Sequence, residues 1–206
     1  MFKLLLVIVT GYLIGSIPFA LVIGKVFYKT DIRNYGSGNL GGGNAGRVLG
    51  KKAGLGTMAL DLLKVSFVVL FAARLTGGDN TAIALGALAA GIGHCYPVFA
   101  GFRGGKAVAA MYGFLFGLVA FAGRSPLYFF LPLIVFLIVL VPGRMTSLSS
   151  MVSTVVVTLY ICLRPEAPVI KLVQVIFAVL IIVRHRSNIQ RILNHNENKI
   201  SWLPRF

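Results

Sequence analysis

The stretch 4–23, LLLVIVTGYLIGSIPFALVI, is a long apolar run that begins directly after Lys3. A helix of this length rises about 30 Å, which is the thickness of the hydrocarbon core of a bilayer. No clear small-residue cleavage site ends the run, so we interpret it as a retained membrane helix and not as a signal peptide. The fold is therefore expected to form in lipid.

The rest of the chain has the composition of a membrane protein. Of its 206 residues, 57% are hydrophobic and only 12% are charged, about half the charged share of a soluble domain. Seven apolar runs predict an all-α polytopic membrane protein with about seven transmembrane helices, and six is the main alternative count. We expect a single membrane-embedded domain over residues 1–206. The runs cover residues 4–23, 55–73, 82–102, 108–122, 127–141, 148–163 and 167–183.

The distribution of charge predicts the topology. The 20 Lys and Arg residues exceed the 5 Asp and Glu residues by 15, which in a soluble protein would suggest nucleic acid. In a membrane protein this excess marks cytoplasmic loops, so we expect membrane lipids and no nucleic acid as partners. Seven spans place fourteen cations on one side and five on the other, which predicts an outside N-terminus and a cytoplasmic C-terminus. The fourteen are Lys25, Lys29, Arg33, Arg47, Lys51, Lys52, Arg103, Lys106, Arg144, Arg184, Arg186, Arg191, Lys199 and Arg205.

A glycine-dense polar loop, GSGNLGGGNAGR at 36–47, interrupts the apolar sequence on the predicted cytoplasmic side. Glycines leave backbone N–H groups free to face a ligand, and successive N–H groups can form an anion-binding concavity. Arg47 adds a planar guanidinium that matches a phosphate. These residues indicate either a phosphate site or a flexible linker.

A second candidate site lies at 93–106. Pro97 breaks the helix, and the Gly-Gly-Lys run 104–106 is expected to open the next one. A helix start of this kind offers backbone donors, a favourable dipole and an ammonium to a phosphate. The alternatives are a tight loop with a snorkelling Lys106 and, for His94, a purely structural hydrogen bond.

A third candidate segment, RHRSNIQR at 184–191, directly follows the last apolar run. His185 and Asn188 are three residues apart, so they would share one polar helix face that offers donors to a hydroxyl or a phosphate. Basic residues at this position are also what the topology alone requires.

Asp61 and Lys64 lie inside the second span, where ionisable groups are costly. Asp61 is only about 9 Å below the start of that span at 1.5 Å per residue. The two residues therefore either face the cytoplasmic site or form a structural pair that anchors Arg47 or Lys106.

Several chemistries lack support in the sequence. No cluster of His, Cys or carboxylate residues has the spacing of a metal site, and no G-x-S-x-G elbow is present, so we expect neither a metal nor a cofactor. No histidine has an Asp five residues further on, so the His-x4-Asp pair of the common glycerolipid acyltransferases is absent.

Taken together and in order, these segments resemble one family, the bacterial acyl-phosphate:glycerol-3-phosphate acyltransferases of the PlsY type. The resemblance covers nearly the whole chain, and the ordered set is specific although each motif alone is weak. The matching pieces are Gly15-Ser16-Ile17-Pro18-Phe19, Gly36-Ser37-Gly38-Asn39 with Asn44 and Arg47, Asp61-Leu62-Leu63-Lys64, Gly93-His94, Phe102 to Lys106, and Arg184-His185-Arg186 with Asn188 and Glu197.

The resemblance implies a multi-pass enzyme of the bacterial cytoplasmic (inner) membrane whose active site faces the cytoplasm. It implies transfer of a fatty acyl group from acyl phosphate to the 1-hydroxyl of glycerol 3-phosphate, which gives lysophosphatidic acid and phosphate. Functional coupling to the enzymes that form acyl phosphate and that carry out the second acylation would follow.

The resemblance also implies roles for residues at matching positions. The catalytic set would be Ser37, Arg47, Lys106, His185 and Asn188. The residues that bind substrate or phosphate would be Gly36, Gly38, Asn39, Gly41, Asn44, Asp61, Lys64, His94, Gly104 and Gly105.

The chain departs from the family pattern at several positions. Where the family usually has Ala-Thr, Gly, Gly, Thr and Glu, this chain has Gly42-Gly43, Val65, Ala107, Ala110 and Ser187. Two alternatives to the acyltransferase therefore stay open here. They are an inactive lipid-binding paralogue and a membrane transporter of a phosphorylated or anionic solute.

Overall fold

The computed structural model describes residues 1–200, so Arg205, which the sequence assigns to the cytoplasmic side, lies outside the described residues. That part of the chain is helical and contains no strand. The helices are α1 (Phe2–Gly15), α2 (Phe19–Tyr28), α3 (Gly42–Val48), α4 (Lys51–Thr76), α5 (Asn80–Cys95), α6 (Val108–Ala122), α7 (Leu127–Gly143), α8 (Thr146–Leu163), α9 (Pro168–Arg184) and α10 (Arg186–Leu193).

Each predicted apolar run coincides with a helix or a broken helix, which confirms the all-α membrane fold. Four segments are long and apolar enough to cross a membrane by themselves: Phe2–Tyr28, α4, Asn80–Ala100 and α8. The pair α9 and α10, bent by 56°, is a fifth if it forms one span, and α6 and α7 are apolar but shorter. The count of seven spans and the orientation stay predictions.

Pro18 divides the first apolar run. α1 ends at Gly15 and α2 begins at Phe19, so the run 4–23 is not one continuous helix. Proline has no N–H to continue the hydrogen-bond ladder, which explains the break. Near this break the carbonyl oxygen of Ile17 accepts a hydrogen bond of 2.8 Å from Lys64 Nζ, so the irregular backbone is tied to the middle of α4.

The third run is also divided, by a break after Cys95. The expected span to residue 102 agrees with the apolar segment Asn80–Ala100, but this segment is not one continuous helix, because α5 ends at Cys95, directly before the Tyr96-Pro97 pair. The chain continues through a 3₁₀ turn at Val98–Ala100 into the loop that carries Lys106. Hydropathy alone did not place this boundary, since the residues beyond the helix are still apolar.

Small residues allow the helices that carry the site to approach closely. A Cβ atom on Gly15 would lie 2.1 Å from the carbonyl oxygen of Ala90 on α5, and one on Gly113 would lie 2.3 Å from that of Leu62 on α4. Small residues at helix contacts are the usual means of tight packing in lipid. These contacts fix α1 against α5 and α4 against α6.

The polar residues at the far end of the bundle, where α5 begins, bind one another. Arg124 Nε lies 2.9 Å from Glu166 Oε2, and Arg124 Nη2 donates to Asn80 Oδ1 at 2.7 Å. Tyr128 donates a further hydrogen bond of 3.1 Å to Glu166. This end of the bundle is therefore closed by a satisfied polar network.

The adjacent glycines Gly42 and Gly43 have different surroundings. A Cβ on Gly42 would lie 2.8 Å from the carbonyl oxygen of Gly54 and 2.2 Å from Met58 Cγ, because α3 packs there on α4. A Cβ on Gly43 would have no atom within 4 Å. Gly42 is therefore needed for packing, and Gly43 is not.

This difference predicts opposite effects of the same substitution. We expect Gly42→Ala to destabilise the protein by about 1–3 kcal/mol, which is typical of overpacking. Gly43→Ala should be neutral or stabilise by up to about 1 kcal/mol, since alanine favours a helix over glycine. Thermal unfolding of the two purified variants in detergent measures both effects. Equal midpoints would contradict the packing of α3 on α4.

Candidate active site

A cavity of about 430 Å³ opens at the end of the bundle opposite the Arg124 network. Its polar head is formed by the glycine-dense loop, Lys106, the bend between α9 and α10, and Glu197. Its apolar wall is formed by α4, α6 and α7 and includes Leu55, Met58, Leu133 and Phe136. Leu55 and Met58 are 66% and 46% exposed, so this wall opens at the surface of the helix bundle. The cavity is amphipathic.

The glycine-dense loop is braced by its own second asparagine. Asn44 Oδ1 accepts a hydrogen bond of 2.9 Å from the Ser37 backbone N–H, and Asn44 Nδ2 donates to the carbonyls of Tyr35 and Ile32. Asn44 is buried, and both ends of its amide are engaged by the loop itself. Its contacts favour a role in shaping the loop.

Ser37 and Arg47 meet at the head of the cavity. Arg47 Nη2 donates to Ser37 Oγ at 3.3 Å, and both residues line the cavity. Arg47 comes from α3, so the loop and the helix that follows it present a hydroxyl and a guanidinium side by side. Burial lowers the pKa of Arg47, and the charge of Glu197 opposes this shift. An arginine stays protonated under such a shift, so the head keeps this charge.

The Gly-Gly-Lys run does not open a helix. α6 begins at Val108, two residues after Lys106, so the prediction of a helix start at Gly104 is wrong. The reason lies in Ala107, whose φ of +61° is left-handed and interrupts the helical path. The Gly105 N–H is also engaged, because it donates to the His94 carbonyl at 2.9 Å. The Gly-Gly-Lys run is therefore part of an ordered loop, and the side chain of Lys106 extends from this loop into the cavity.

Lys106 is the central cation of the head. Its ammonium donates a hydrogen bond to Asn188 Oδ1 on α10. Burial, together with the nearby charge of Arg191, lowers the pKa of Lys106 to about 8. Lys106 therefore titrates close to neutral pH, and an anion that enters the cavity would stabilise its protonated form.

His185 lies in the turn beyond the end of α9, and Asn188 follows it on α10. The two were predicted to share one helix face, whereas the structure places His185 at the junction before α10; both residues are buried and both line the cavity. His185 Nδ1 lies 2.8 Å from the carbonyl oxygen of Ile181, so Nδ1 carries the proton and Nε2 is an acceptor in the neutral ring. Burial, together with the charge of Lys106, lowers the pKa of His185 to about 4. The ring is neutral at pH 7.

Glu197 is a site residue to which the sequence reasoning gave no role. It accepts hydrogen bonds from Asn188 Nδ2 at 2.6 Å, Ser147 Oγ at 2.8 Å and Arg191 Nε at 2.8 Å. Burial alone would raise its pKa, but these three donors hold the pKa below its ordinary value. Glu197 is therefore an anion that orients Asn188. Its signal in the sequence is that it is the one acidic residue after the last span.

Asp61, Lys64 and His94 form a buried network beside the head. Asp61 Oδ1 lies 2.7 Å from Lys64 Nζ and 3.5 Å from His94 Nδ1. The expectation that the pair anchors Arg47 or Lys106 is not met, because the ion-pair partners of Asp61 within residues 1–200 are Lys64 and His94. Asp61 and His94 border the cavity, whereas Lys64 is turned toward Ile17.

A second, basic cavity of about 620 Å³ adjoins the first. The two share Ser37, Asn39, Lys106 and Arg191. The second one adds Arg184, Arg186 and Ser187, and none of its described lining residues is acidic. Five predicted site residues lie outside both linings: Gly36, Gly38, Lys64, Gly104 and Gly105.

The fold and the site define a class, a helical membrane protein whose cavity joins a cationic head to an apolar wall. The family follows from comparison with known proteins. The model of the glycerol-3-phosphate acyltransferase family matches residues 5–195. The chain therefore belongs to the glycerol-3-phosphate acyltransferase family.

Individual relatives agree with this assignment along the whole chain. Glycerol-3-phosphate acyltransferase 2 of Bacillus anthracis is 46% identical over 197 residues, which are 95% of this chain and 98% of the relative. The glycerol-3-phosphate acyltransferase of Geobacillus kaustophilus is 43% identical and covers 96% of both chains. Among solved structures, the integral membrane glycerol 3-phosphate acyltransferase PlsY in its glycerol 3-phosphate form superimposes with a TM-score of 0.87 at 37% identity over 96% of both chains.

The low pKa of His185 predicts a dependence of stability on pH. In the unfolded chain a histidine binds its proton at pH about 6.5, whereas the folded protein resists protonation until about 4. The contribution of neutral His185 to the free energy of unfolding is therefore fully present above pH about 6.5, and it is lost as the pH falls toward 4. At pH 5 this loss should amount to roughly 2 kcal/mol.

Thermal unfolding between pH 7.5 and 5 measures this loss, and His185→Gln is the control because glutamine does not titrate. We expect the midpoint of the parent protein to fall further than that of the variant, by about 4–8 °C. Parallel curves for the two proteins would contradict the burial of a neutral His185.

Proposed function

We propose that the protein transfers a fatty acyl group from acyl phosphate to the 1-hydroxyl of glycerol 3-phosphate and releases phosphate. The observation that carries this proposal is the amphipathic cavity, in which an apolar wall open at the surface of the bundle ends at a head that includes Arg47, Lys106 and Arg191. An acyl phosphate has the same two-part chemistry, and so does the lysophosphatidic acid that the reaction produces. The second PlsY structure, at a TM-score of 0.86 and 35% identity, is a form of that protein with this product.

The two adjoining cavities suit two different phosphate esters. The amphipathic cavity fits the lipid-like acyl phosphate, whose chain packs against Leu62, Leu133 and the neighbouring apolar residues. The basic cavity has no described acidic lining residue and fits the water-soluble glycerol 3-phosphate. Ser37, Asn39, Lys106 and Arg191 line both cavities, so transfer would take place where these four residues meet.

Five side chains would hold and orient the reacting groups. Arg47, Lys106 and the hydroxyl of Ser37 would bind the phosphate of the donor. Asn188 would orient the ammonium of Lys106, which it already contacts. His185 would accept the hydrogen bond of the attacking hydroxyl through Nε2, because Nδ1 is engaged by Ile181.

The loop residues would act with them. The backbone of Gly41 and the side chain of Asn39 line the donor cavity, and Asn44 would keep the loop in shape. Asp61 and His94 would support the head from below. Gly36, Gly38, Lys64, Gly104 and Gly105 would contribute to the geometry of the loops and helices and not to direct contact.

The chemistry would need no covalent intermediate. The hydroxyl oxygen attacks the carbonyl carbon, the bond from this carbon to the phosphate oxygen breaks, and the hydroxyl proton leaves on the phosphate. Acyl phosphate is already activated, so positioning and charge stabilisation suffice. His185, with its pKa lowered to about 4, is a weak base, which favours the phosphate as the proton acceptor.

The position of the site also indicates where in the cell the protein works. The site lies at the end of the bundle that carries most of the cationic loops, which by the positive-inside rule faces the cytoplasm. We therefore place the protein in the bacterial cytoplasmic membrane, with access to enzymes that form acyl phosphate and that add the second acyl chain.

The donor is tested by phosphate release from purified protein. Palmitoyl phosphate with glycerol 3-phosphate should give equal amounts of phosphate and lysophosphatidic acid. Palmitoyl coenzyme A, which lacks the acyl phosphate group, should give no product under the same conditions. Product from the thioester, or none from palmitoyl phosphate with folded protein, would refute the assigned donor.

The pKa of Lys106 predicts the basic side of the pH profile. Lys106 binds phosphate only in its protonated form. The value of kcat/KM should therefore fall above pH about 8, as Lys106 of the free enzyme loses this proton. Lys106→Arg is the matched control, since a guanidinium stays charged throughout this range. We expect the variant to be less active but to lack this decline. A decline of the same shape in the variant would assign it to another group.

A further inference from the structure

The loop 101–107, which carries Lys106, has a strained backbone. Phe102 and Ala107 have φ angles of +60° and +61°, in the left-handed region that side chains other than glycine rarely adopt. Such conformations persist only where the surrounding structure over-determines them, and they cluster at functional sites. The loop must therefore be held from outside.

Contacts from three separate elements hold the loop. The Gly105 N–H donates to the carbonyl of His94 at the end of α5, at 2.9 Å. Asn39 Nδ2, from the glycine-dense loop, donates to the carbonyl of Gly104 at 3.1 Å. Arg184, the last residue of α9, donates through Nε to the Gly105 carbonyl at 3.1 Å and through Nη2 to the Gly104 carbonyl at 3.2 Å.

Arg184 differs in this respect from the other cations of the basic cavity. Its guanidinium bonds two adjacent carbonyls and lies 5.1 Å from the centre of the Tyr96 ring. Arg186 lines the same cavity but makes none of these contacts with the described part of the chain. The donors of Arg184 that face the loop are thus engaged before any substrate arrives.

We propose that Arg184 is a positioning residue that fixes the loop at Gly104 and Gly105 and thereby the place of Lys106 in the transition state. This role rests on the proposed acyl transfer. Lys106 directly follows the two residues whose carbonyls Arg184 binds, and it reaches Asn188 on α10. Arg184 and Asn188 lie on either side of the 56° bend, so one bent segment holds both the backbone of the loop and its ammonium.

The geometry calls for arginine and not only for a positive charge. Two parallel N–H donors match two neighbouring carbonyl oxygens, and the planar group can stack on Tyr96, whereas an ammonium offers one point of contact. A residue that merely attracts phosphate would tolerate lysine. The substitution Arg184→Lys therefore separates positioning from charge.

The test measures kcat and KM for palmitoyl phosphate and glycerol 3-phosphate in Arg184→Lys and Arg184→Ala, with Arg186→Lys and Arg186→Ala as matched controls. We expect both Arg184 variants to lose kcat by one to two orders of magnitude, the effect of a small misplacement, with KM nearly unchanged. Arg186→Ala should mainly raise KM for glycerol 3-phosphate, and Arg186→Lys should raise it less because lysine keeps the charge.

A second measurement uses chemical rescue. Methylguanidinium added to Arg184→Ala should restore part of kcat, because Tyr96 and the two carbonyls remain to bind it. It should not rescue Arg186→Ala. Thermal unfolding checks each variant, and if Arg184→Ala does not fold, Arg184→Lys carries the test because it keeps the charge and most of the aliphatic stem.

The outcomes separate the two proposals. An inactive parent protein would refute the acyl transfer and this role with it. An active parent, together with an Arg184→Lys variant of normal kcat, would refute only the positioning role. A raised KM at unchanged kcat in the Arg184 variants would likewise refute it and would make Arg184 a phosphate ligand.

Discussion

The buried ammonium of Lys64 is the constraint on which the site depends. It is 6% exposed within a membrane bundle, and it is stabilised by Asp61 at 2.7 Å and by the carbonyl of Ile17 at 2.8 Å. A charge in such a place is tolerated only when paired and hydrogen-bonded. This pair ties the break between α1 and α2 to α4. Asp61 also contacts His94, and Gly105 packs against the backbone and the ring of His94. The network therefore links the first helices to the loop of Lys106.

Much of the fold followed from the sequence, since apolar runs and the excess of cations are properties of composition. The helix ends did not follow so well. Hydropathy carried the third run past Cys95, although Pro97 had predicted a break there, and the Gly-Gly-Lys run did not show that Ala107 delays α6. The cations and His185 could be named because their chemistry suits phosphate. The bonds of Arg184 to two carbonyls and the convergence on Glu197 depend on tertiary contacts that no local pattern encodes.

The structure also explains some departures from the family pattern. Gly43 borders the cavity beside open space, so the usual threonine would fit there without strain. Ala107 has a left-handed backbone conformation, which favours the usual glycine, and its side chain is fully buried. Ser187 lines the basic cavity where the family usually has a glutamate, and no described residue of this lining is acidic. None of the departures removes a cation from the head.

We propose that the site acts by position and charge, without a covalent acyl-enzyme. Ser37 contacts a guanidinium and not a base, and Ser147 donates to Glu197. The direct measurement is rapid mixing of the protein with palmitoyl phosphate alone, followed by phosphate quantification and intact mass analysis. We expect no burst of phosphate and no mass increase until glycerol 3-phosphate is added. A burst stoichiometric with the protein, together with a palmitoyl adduct, would contradict it.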